Sequence, residues 1–167
     1  IEATKSAVLR SLPDAECVHL TTPIFWESSS LAFSPDQNEE SSERPEYLLT
    51  STEITRLRLT ARLVVLSSGH CWNNEDSSKM TPEGVQKLAK GLLNAGAQCV
   101  LVAMWPVPST AGSILLRAFY SALLQGARAS RALAEAMQTV QHTRHFAHPA
   151  NWAGWLLLGG DARLSNK

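Results

Sequence analysis

The stretch MTPEGVQKLAKGLLNAGAQCVLVAMW (Met80–Trp105) has the pattern of a helix followed at once by a strand. Thr81 is suited to cap the helix, Pro82 fits its first position, and Gly96 is suited to end it. The apolar residues of the helical part recur at helical spacing, at Val85, Leu88, Ala89 and Leu92. From Gln98 the chain is almost continuously apolar, as is typical of a strand buried on both faces. A helix that leads directly into such a strand predicts an α/β fold.

The rest of the chain repeats this alternation of helices and buried strands. The segment RLVVLSS at 62–68 has the same continuous apolar character. Apolar spacing predicts further helices at 1–12, 50–57, 109–126 and 130–144, and further strands at 17–22, 30–34 and 152–160. We therefore predict a three-layer α/β sandwich, with a mostly parallel sheet and helices on both faces. In such sheets functional residues gather at the carboxyl ends of the strands, here 21–24, 67–71 and 105–108.

The composition excludes several classes of function. The chain has 167 residues, a formal net charge of +0 and a pI near 7.1, so no basic excess draws it to nucleic acid or to an anionic membrane. Its longest apolar stretch, Cys99–Val107, is too short to cross a bilayer. Its three cysteines form no CxxC pair and have no zinc-ligand spacing with histidine, so we predict no metal, no cofactor and a reducing, cytoplasmic compartment. Cys17 and Cys99 lie in apolar runs and are predicted to be core residues.

One segment departs from the globular pattern. PDQNEESSERPE at Pro35–Glu46 is polar and acidic and contains two prolines. Such a segment buries too little apolar area to order itself, so we predict a disordered loop within the domain. The chain does not begin with methionine, and we interpret it as part of a longer protein.

Five motifs follow one another along the chain: ECVHLTTP, LLTSTEITRLRLTARLVVLSS, EGVQKLAKGLLNAGAQCVLVAMWPVPSTAG, FYSALLQGARASRALAEAMQ and HPANWAGWLLLGGD. Together they resemble the CHAT domain, a caspase- and separase-like module that usually follows tetratricopeptide repeats. The resemblance implies a caspase-like sandwich, with residues 1–167 forming the C-terminal part of a single domain whose N-terminal strands are missing here. It also implies tetratricopeptide repeats in the parent chain.

The resemblance extends to the strands that carry the family's catalytic residues, but not to those residues. Catalytic members cleave peptide bonds with a Cys–His dyad, in which a thiolate attacks and the imidazole acts as its base. Their His follows a strand of the form VHLATHG, and their Cys follows one of the form VVLSAC. The matching segments VHLTTPI and VVLSSGH place Pro23 and Gly69 at these two positions. We therefore predict a catalytically inactive module, a pseudopeptidase that serves protein interactions within a scaffold.

Two alternatives stay open at this point. The first is a cysteine peptidase with a displaced nucleophile, Cys71, and either His70 or His19 as its base. Adjacent strand residues point to opposite faces, which disfavours His70, and we expect His19 to lie about 13 Å from Cys71 along the sheet. His19 is more simply a core histidine with a hydrogen-bonded ring. The second alternative is a purely structural cap on the repeat array.

For the interaction module, we predict a binding cleft where the dyad would stand. Its predicted rim consists of Pro23, Trp26, Gly69, Cys71 and Trp72. Trp26 and Trp72 lie in loops, and exposed indoles there would mark an interface, since Trp is enriched in interface cores. The other three tryptophans are predicted to be core residues; they are Trp105, Trp152 and Trp155. The expected partners are proteins, with a peptide segment in the cleft.

Overall fold

The computed structural model describes residues 3–35, 47–67 and 81–164 of the chain. The helices are α1 (Lys5–Ser11), α2 (Ser51–Thr55), α3 (Pro82–Asn94), α4 (Ser109–Leu124) and α5 (Ala129–Gln141). The strands are β1 (Cys17–Leu20), β2 (Ile24–Phe25), β3 (Ser30–Ala32), β4 (Leu48–Thr50), β5 (Leu63–Leu66), β6 (Cys99–Ala103) and β7 (Trp155–Gly159). The loop predicted at 35–46 lies outside the described residues, apart from Pro35. Four predicted site residues also lie outside them, namely Gly69, His70, Cys71 and Trp72.

The main sheet contains four strands in the order β1-β5-β6-β7. β1 is parallel to β5 and β5 is parallel to β6, whereas β7 is antiparallel to β6. The register pairs Leu20 with Leu66, and Leu66 with Val102. The carboxyl ends of the three parallel strands therefore meet at one edge of the sheet, where ligand sites of α/β proteins usually lie.

The strands of this sheet contribute to two separate cores. Val64 and Leu66 pack on one face with residues of α2 and α3. Leu63 and Val65 pack on the other face with residues of α4 and α5. All four residues are at most 1% exposed, which is the burial expected of a continuous apolar strand. Helices on both faces of a mostly parallel sheet confirm the predicted α/β fold class.

The local signals at the helix ends also agree with the sequence. The Thr81 hydroxyl accepts a hydrogen bond from the Gly84 amide at the start of α3, as expected of an N-cap. α2 begins with a capping box in which Thr50 and Glu53 bond each other's backbone amides. No helix in the described ranges is long and apolar enough to cross a membrane.

A second, smaller sheet contains β2, β3 and β4 in antiparallel order. The sequence predicted the middle strand but neither of its neighbours. The two missed strands have two and three residues, which is too short for a period-two pattern to be recognised. This sheet joins the end of β1 to the start of α2, so it lies beside the carboxyl edge of the main sheet.

Three of the predicted core residues are exposed, namely Cys17, His19 and Trp105. Cys99 is fully buried as predicted, but Cys17 is exposed. Cys17 shares its strand face with His19, which is also exposed, so α4 covers this face of β1 only in part. Trp105 is 38% exposed; its indole lies over Gly154, and the indole N–H donates a hydrogen bond to the Ala150 carbonyl.

Candidate functional site

A cleft of about 490 Å³ opens at the carboxyl edge of the main sheet, on the side of α4 and α5. One wall consists of residues at the ends of β1 and β5, namely His19, Thr21 and Ser67. The opposite wall is the first three turns of α4, and Trp155 of β7 contributes to the lining. The cleft lies at the edge of the sheet where the sequence predicted a site.

Three polar side chains form a hydrogen-bonded cluster on the strand wall. His19 Nε2 and Ser67 Oγ are 2.6 Å apart, and Thr21 Oγ1 is 2.9 Å from Ser67 Oγ. Thr21 Oγ1 is also 3.3 Å from His19 Nε2. The strand pairing explains the cluster, because the register that aligns Leu20 with Leu66 brings Thr21 beside Ser67.

The environment of His19 favours its neutral form. Its ring lies 5.7 Å from the ring of Tyr120, centroid to centroid. Partial desolvation of the ring lowers the pKa of His19 from its ordinary value of 6.5, although the residue as a whole is exposed. A neutral ring with an unprotonated Nε2 can accept a proton from the Ser67 hydroxyl. Among the described residues that line the cleft, however, there is no carboxylate to orient the imidazole as a catalytic base.

We expect NMR titration of His19 to give a pKa below 6.5. The unfolded chain then binds the proton more readily than the folded chain, so the contribution of His19 to stability is present above pH 6.5 and is lost as the pH falls through the folded pKa. In His19→Gln the stability should depend less on pH in this range. A measured His19 pKa above the ordinary value would contradict this expectation.

The α4 wall contributes a different set of polar groups. Ser109, Ser113 and Arg117 project from successive turns of α4 into the lining, and all three are exposed. The hydroxyl of Tyr120, one turn further, is buried and has no hydrogen-bond partner in the described part of the chain. Burial raises the pKa of Tyr120 above its ordinary value, so the phenol stays protonated.

The structure revises the predicted role of His19. The ring is hydrogen-bonded as predicted, but the residue is exposed rather than in the core, because α4 covers that face of β1 only in part. The distance of about 13 Å predicted between His19 and Cys71 stays a prediction, because Cys71 lies outside the described residues. His19 pairs with Val65, and Cys71 follows six residues later in the sequence.

Of the predicted cleft rim, Pro23 and Trp26 lie in the described part of the chain. Pro23 is exposed and lines a second groove of about 600 Å³, which shares His19 and Thr21 with the first. Trp26 is only 7% exposed and packs in the core on the α3 side, with its carbonyl against Gly84. Trp26 is therefore not part of an open rim, since the tight turn after β2 directs it inward.

The residues of α4 were missed by the sequence analysis. Arg117 and Tyr120 lie on a helix whose apolar stripe predicted only core packing. Their place in the cleft depends on the orientation in which α4 crosses the sheet, and the sequence of the helix does not predict that orientation. Thr21 and Ser67, by contrast, fall within the two strand ends that the sequence analysis selected.

A mostly parallel sheet between two helical layers, with polar residues gathered at its carboxyl edge, is the architecture of a caspase-like α/β domain. The model of the CHAT domain family matches residues 1–160, and the chain belongs to this family. The chain is 40% identical to tetratricopeptide repeat protein 28 of Homo sapiens and 39% identical to that of Mus musculus, each over 196 residues. Each comparison covers 98% of this chain but only 8% of the relative, so the chain matches a small part of a much longer protein.

Proposed function

We propose that this chain is a caspase-like protein-interaction module that lacks the Cys–His dyad of peptidases in its family. The strand pairing is the observation that carries the proposal. Pro23 and Gly69 are separated in sequence by the same number of residues as Leu20 and Leu66, which are register partners. The alignment that assigns both dyad positions therefore agrees with the register of the sheet. Neither proline nor glycine has a side chain that can transfer a proton or attack a carbonyl.

The two cysteines in the described ranges are poor replacements for the family nucleophile. Cys17 precedes His19 on the same strand, at the end of β1 away from the cleft. Cys17 is exposed, but partial desolvation of its thiol, with the neighbouring charge of Glu16, raises the pKa of Cys17 above its ordinary value. Cys99 is fully buried, and burial raises its pKa as well. A raised pKa keeps the sulfur as a thiol, which is the unreactive form.

The relatives suggest the context in which such a module works. Both carry tetratricopeptide repeats in their name, and tandem repeats form extended surfaces for binding proteins. We propose that the chain is the C-terminal part of a CHAT domain in a repeat-containing cytoplasmic scaffold. The module would bind a peptide segment of a partner in the cleft at the carboxyl edge of the sheet.

Peptide libraries and an activity-based thiol probe test the proposed lack of peptidase activity. We expect no cleavage above that in buffer, and Cys71→Ala should behave as the unmodified chain does. Cys17→Ala serves as the matched control for the loss of a thiol away from the predicted site. Removing a true nucleophile lowers turnover by several orders of magnitude. Turnover that disappears in Cys71→Ala but not in Cys17→Ala would establish the displaced-nucleophile alternative instead.

A further inference from the structure

Among the described residues, the lining of the cleft beside α4 combines hydrogen-bond donors and a positive charge with no carboxylate. Arg117 is the one Arg or Lys among the described residues of the lining, and neither Asp nor Glu is among them. Within the described ranges, no hydrogen bond or ion pair joins the Arg117 guanidinium to another residue. A guanidinium left free at the wall of a concave site is available to a ligand carboxylate, which it can bind in bidentate fashion.

The first turn of α4 adds to this donor surface. The helix has 16 residues, and no side chain caps its N-terminus at Pro108. The first intrahelical bond is donated by Gly112 to the Pro108 carbonyl, so the preceding amides have no partner within the helix. These amides and the aligned peptide dipoles favour negative charge at this end of the helix. Ser109, Gly112 and Ser113 of the same region line the cleft.

The indole of Trp155 is an independent observation at this cleft, because it adds a buried donor without a partner among the described residues. Trp155 is 5% exposed and lines the cleft, yet its Nε1 has no hydrogen-bond partner in the described part of the chain. A Cβ at Gly112 would lie 3.8 Å from Trp155 Cζ2. Because Cζ2 lies on the same edge of the indole as the N–H group, that edge packs beside the first turns of α4. Buried indole N–H groups usually find an acceptor, and a donor without one is costly.

We propose that this cleft binds a carboxylate of a partner protein segment, either an acidic side chain or a chain terminus. Arg117 pairs with the carboxylate, and the first turn of α4 and the Trp155 indole supply further donors. Val107 and Leu116 give the cleft an apolar wall that accommodates a neighbouring aliphatic side chain of the same segment. The inference rests on the proposed function, because it names the ligand chemistry of the same interaction site.

Fluorescence anisotropy with the intact chain tests this preference. The probe is a fluorescein-labelled nonapeptide with a central Leu-Glu-Leu sequence and an amidated C-terminus, compared with its Gln and Lys counterparts. A fourth peptide, with the central Gln and a free C-terminus, distinguishes a terminal from a side-chain carboxylate. We expect a carboxylate-bearing peptide to bind more tightly than the amidated Gln peptide, and Arg117→Gln to weaken that binding about tenfold.

The matched control is Arg144→Gln, which removes the same charge from an exposed position after α5, outside the cleft. It should leave the affinity unchanged, and circular dichroism should confirm that both variants fold. In NMR spectra, the Trp155 indole N–H resonance, assigned with Trp155→Phe, should shift when the preferred peptide is added.

Several outcomes would overturn the inference and leave the proposed loss of peptidase activity intact. These are binding of neither carboxylate-bearing peptide more tightly than the amidated Gln peptide, preference for the Lys peptide, no binding of any peptide, or equal weakening by Arg117→Gln and Arg144→Gln. Cleavage of the bound peptide has the opposite meaning. It would overturn the proposed function, whereas a carboxylate preference measured in the same experiment would still stand.

Discussion

Replacing Phe119 with alanine should lower the free energy of unfolding by about 3–5 kcal/mol. Phe119 is fully buried in the middle of α4, in the core between the main sheet and the α4–α5 layer. Its ring packs edge to face on Tyr120, with 5.6 Å between centroids. Alanine would remove the ring's apolar contacts and leave a cavity that a sheet and two helices cannot readily close. Urea denaturation followed by circular dichroism measures the effect.

Leu124→Ala is the matched control for Phe119→Ala on the same helix. Leu124 is 76% exposed at the last turn of α4, so its truncation should change stability by no more than about 0.5 kcal/mol. The packing assigned to α4 would be wrong if both variants lost the same stability. It would also be wrong if Phe119→Ala lost less than about 1 kcal/mol.

The burial of Phe119 belongs to the part of the fold that periodicity predicts well. The apolar stripe of α4 recurs at helical spacing, and its members Leu115, Phe119 and Leu123 are all at most 1% exposed. The continuous apolar strands β5 and β6 were likewise predicted to be buried on both faces, and both are. These elements are long or uniformly apolar, so the local pattern and the tertiary packing agree.

Burial at the margins of the sheet could not be predicted in the same way. Cys17 lies in an apolar run, yet it is exposed because the helical layer covers its face of β1 only in part. Trp26 has the opposite outcome, since a residue in a predicted loop is turned into the core beside α3. In both cases the burial of the residue depends on which distant element covers it, and the local sequence does not indicate that element.

The residues of the candidate site also differ in whether the sequence could predict them. The rule that ligands lie at the carboxyl ends of parallel strands selected Thr21 and Ser67, and both line the cleft. The donors of α4, including Arg117, come from a helix that begins more than forty residues after β5 ends. Their convergence with His19 is a property of the sheet order and of the helix crossing, so it required the structure.

Replacing Gly96 with alanine should destabilise the chain by about 2–4 kcal/mol, through backbone strain and overpacking together. Gly96 follows α3 with a φ of +115°, a conformation that side-chain-bearing residues rarely adopt. A Cβ there would also collide with the Leu59 carbonyl oxygen. That carbonyl cannot move away easily, because the Leu59 amide donates a 2.7 Å hydrogen bond to Ala95. Thermal and urea unfolding of the variant measure the loss.

Gly112→Ala makes the same chemical change and should have the opposite sign. Gly112 lies inside α4, where a Cβ would meet only Trp155 Cζ2 at an ordinary contact distance of 3.8 Å. Alanine loses less backbone entropy than glycine in a helix, so stability should rise by up to about 1 kcal/mol. The two variants together separate a glycine required by its conformation from one that is merely tolerated. If Gly96→Ala were as stable as Gly112→Ala, the tight turn between α3 and β6 would not be held as the structure describes it. The path of the chain from α3 into β6 would then need another explanation.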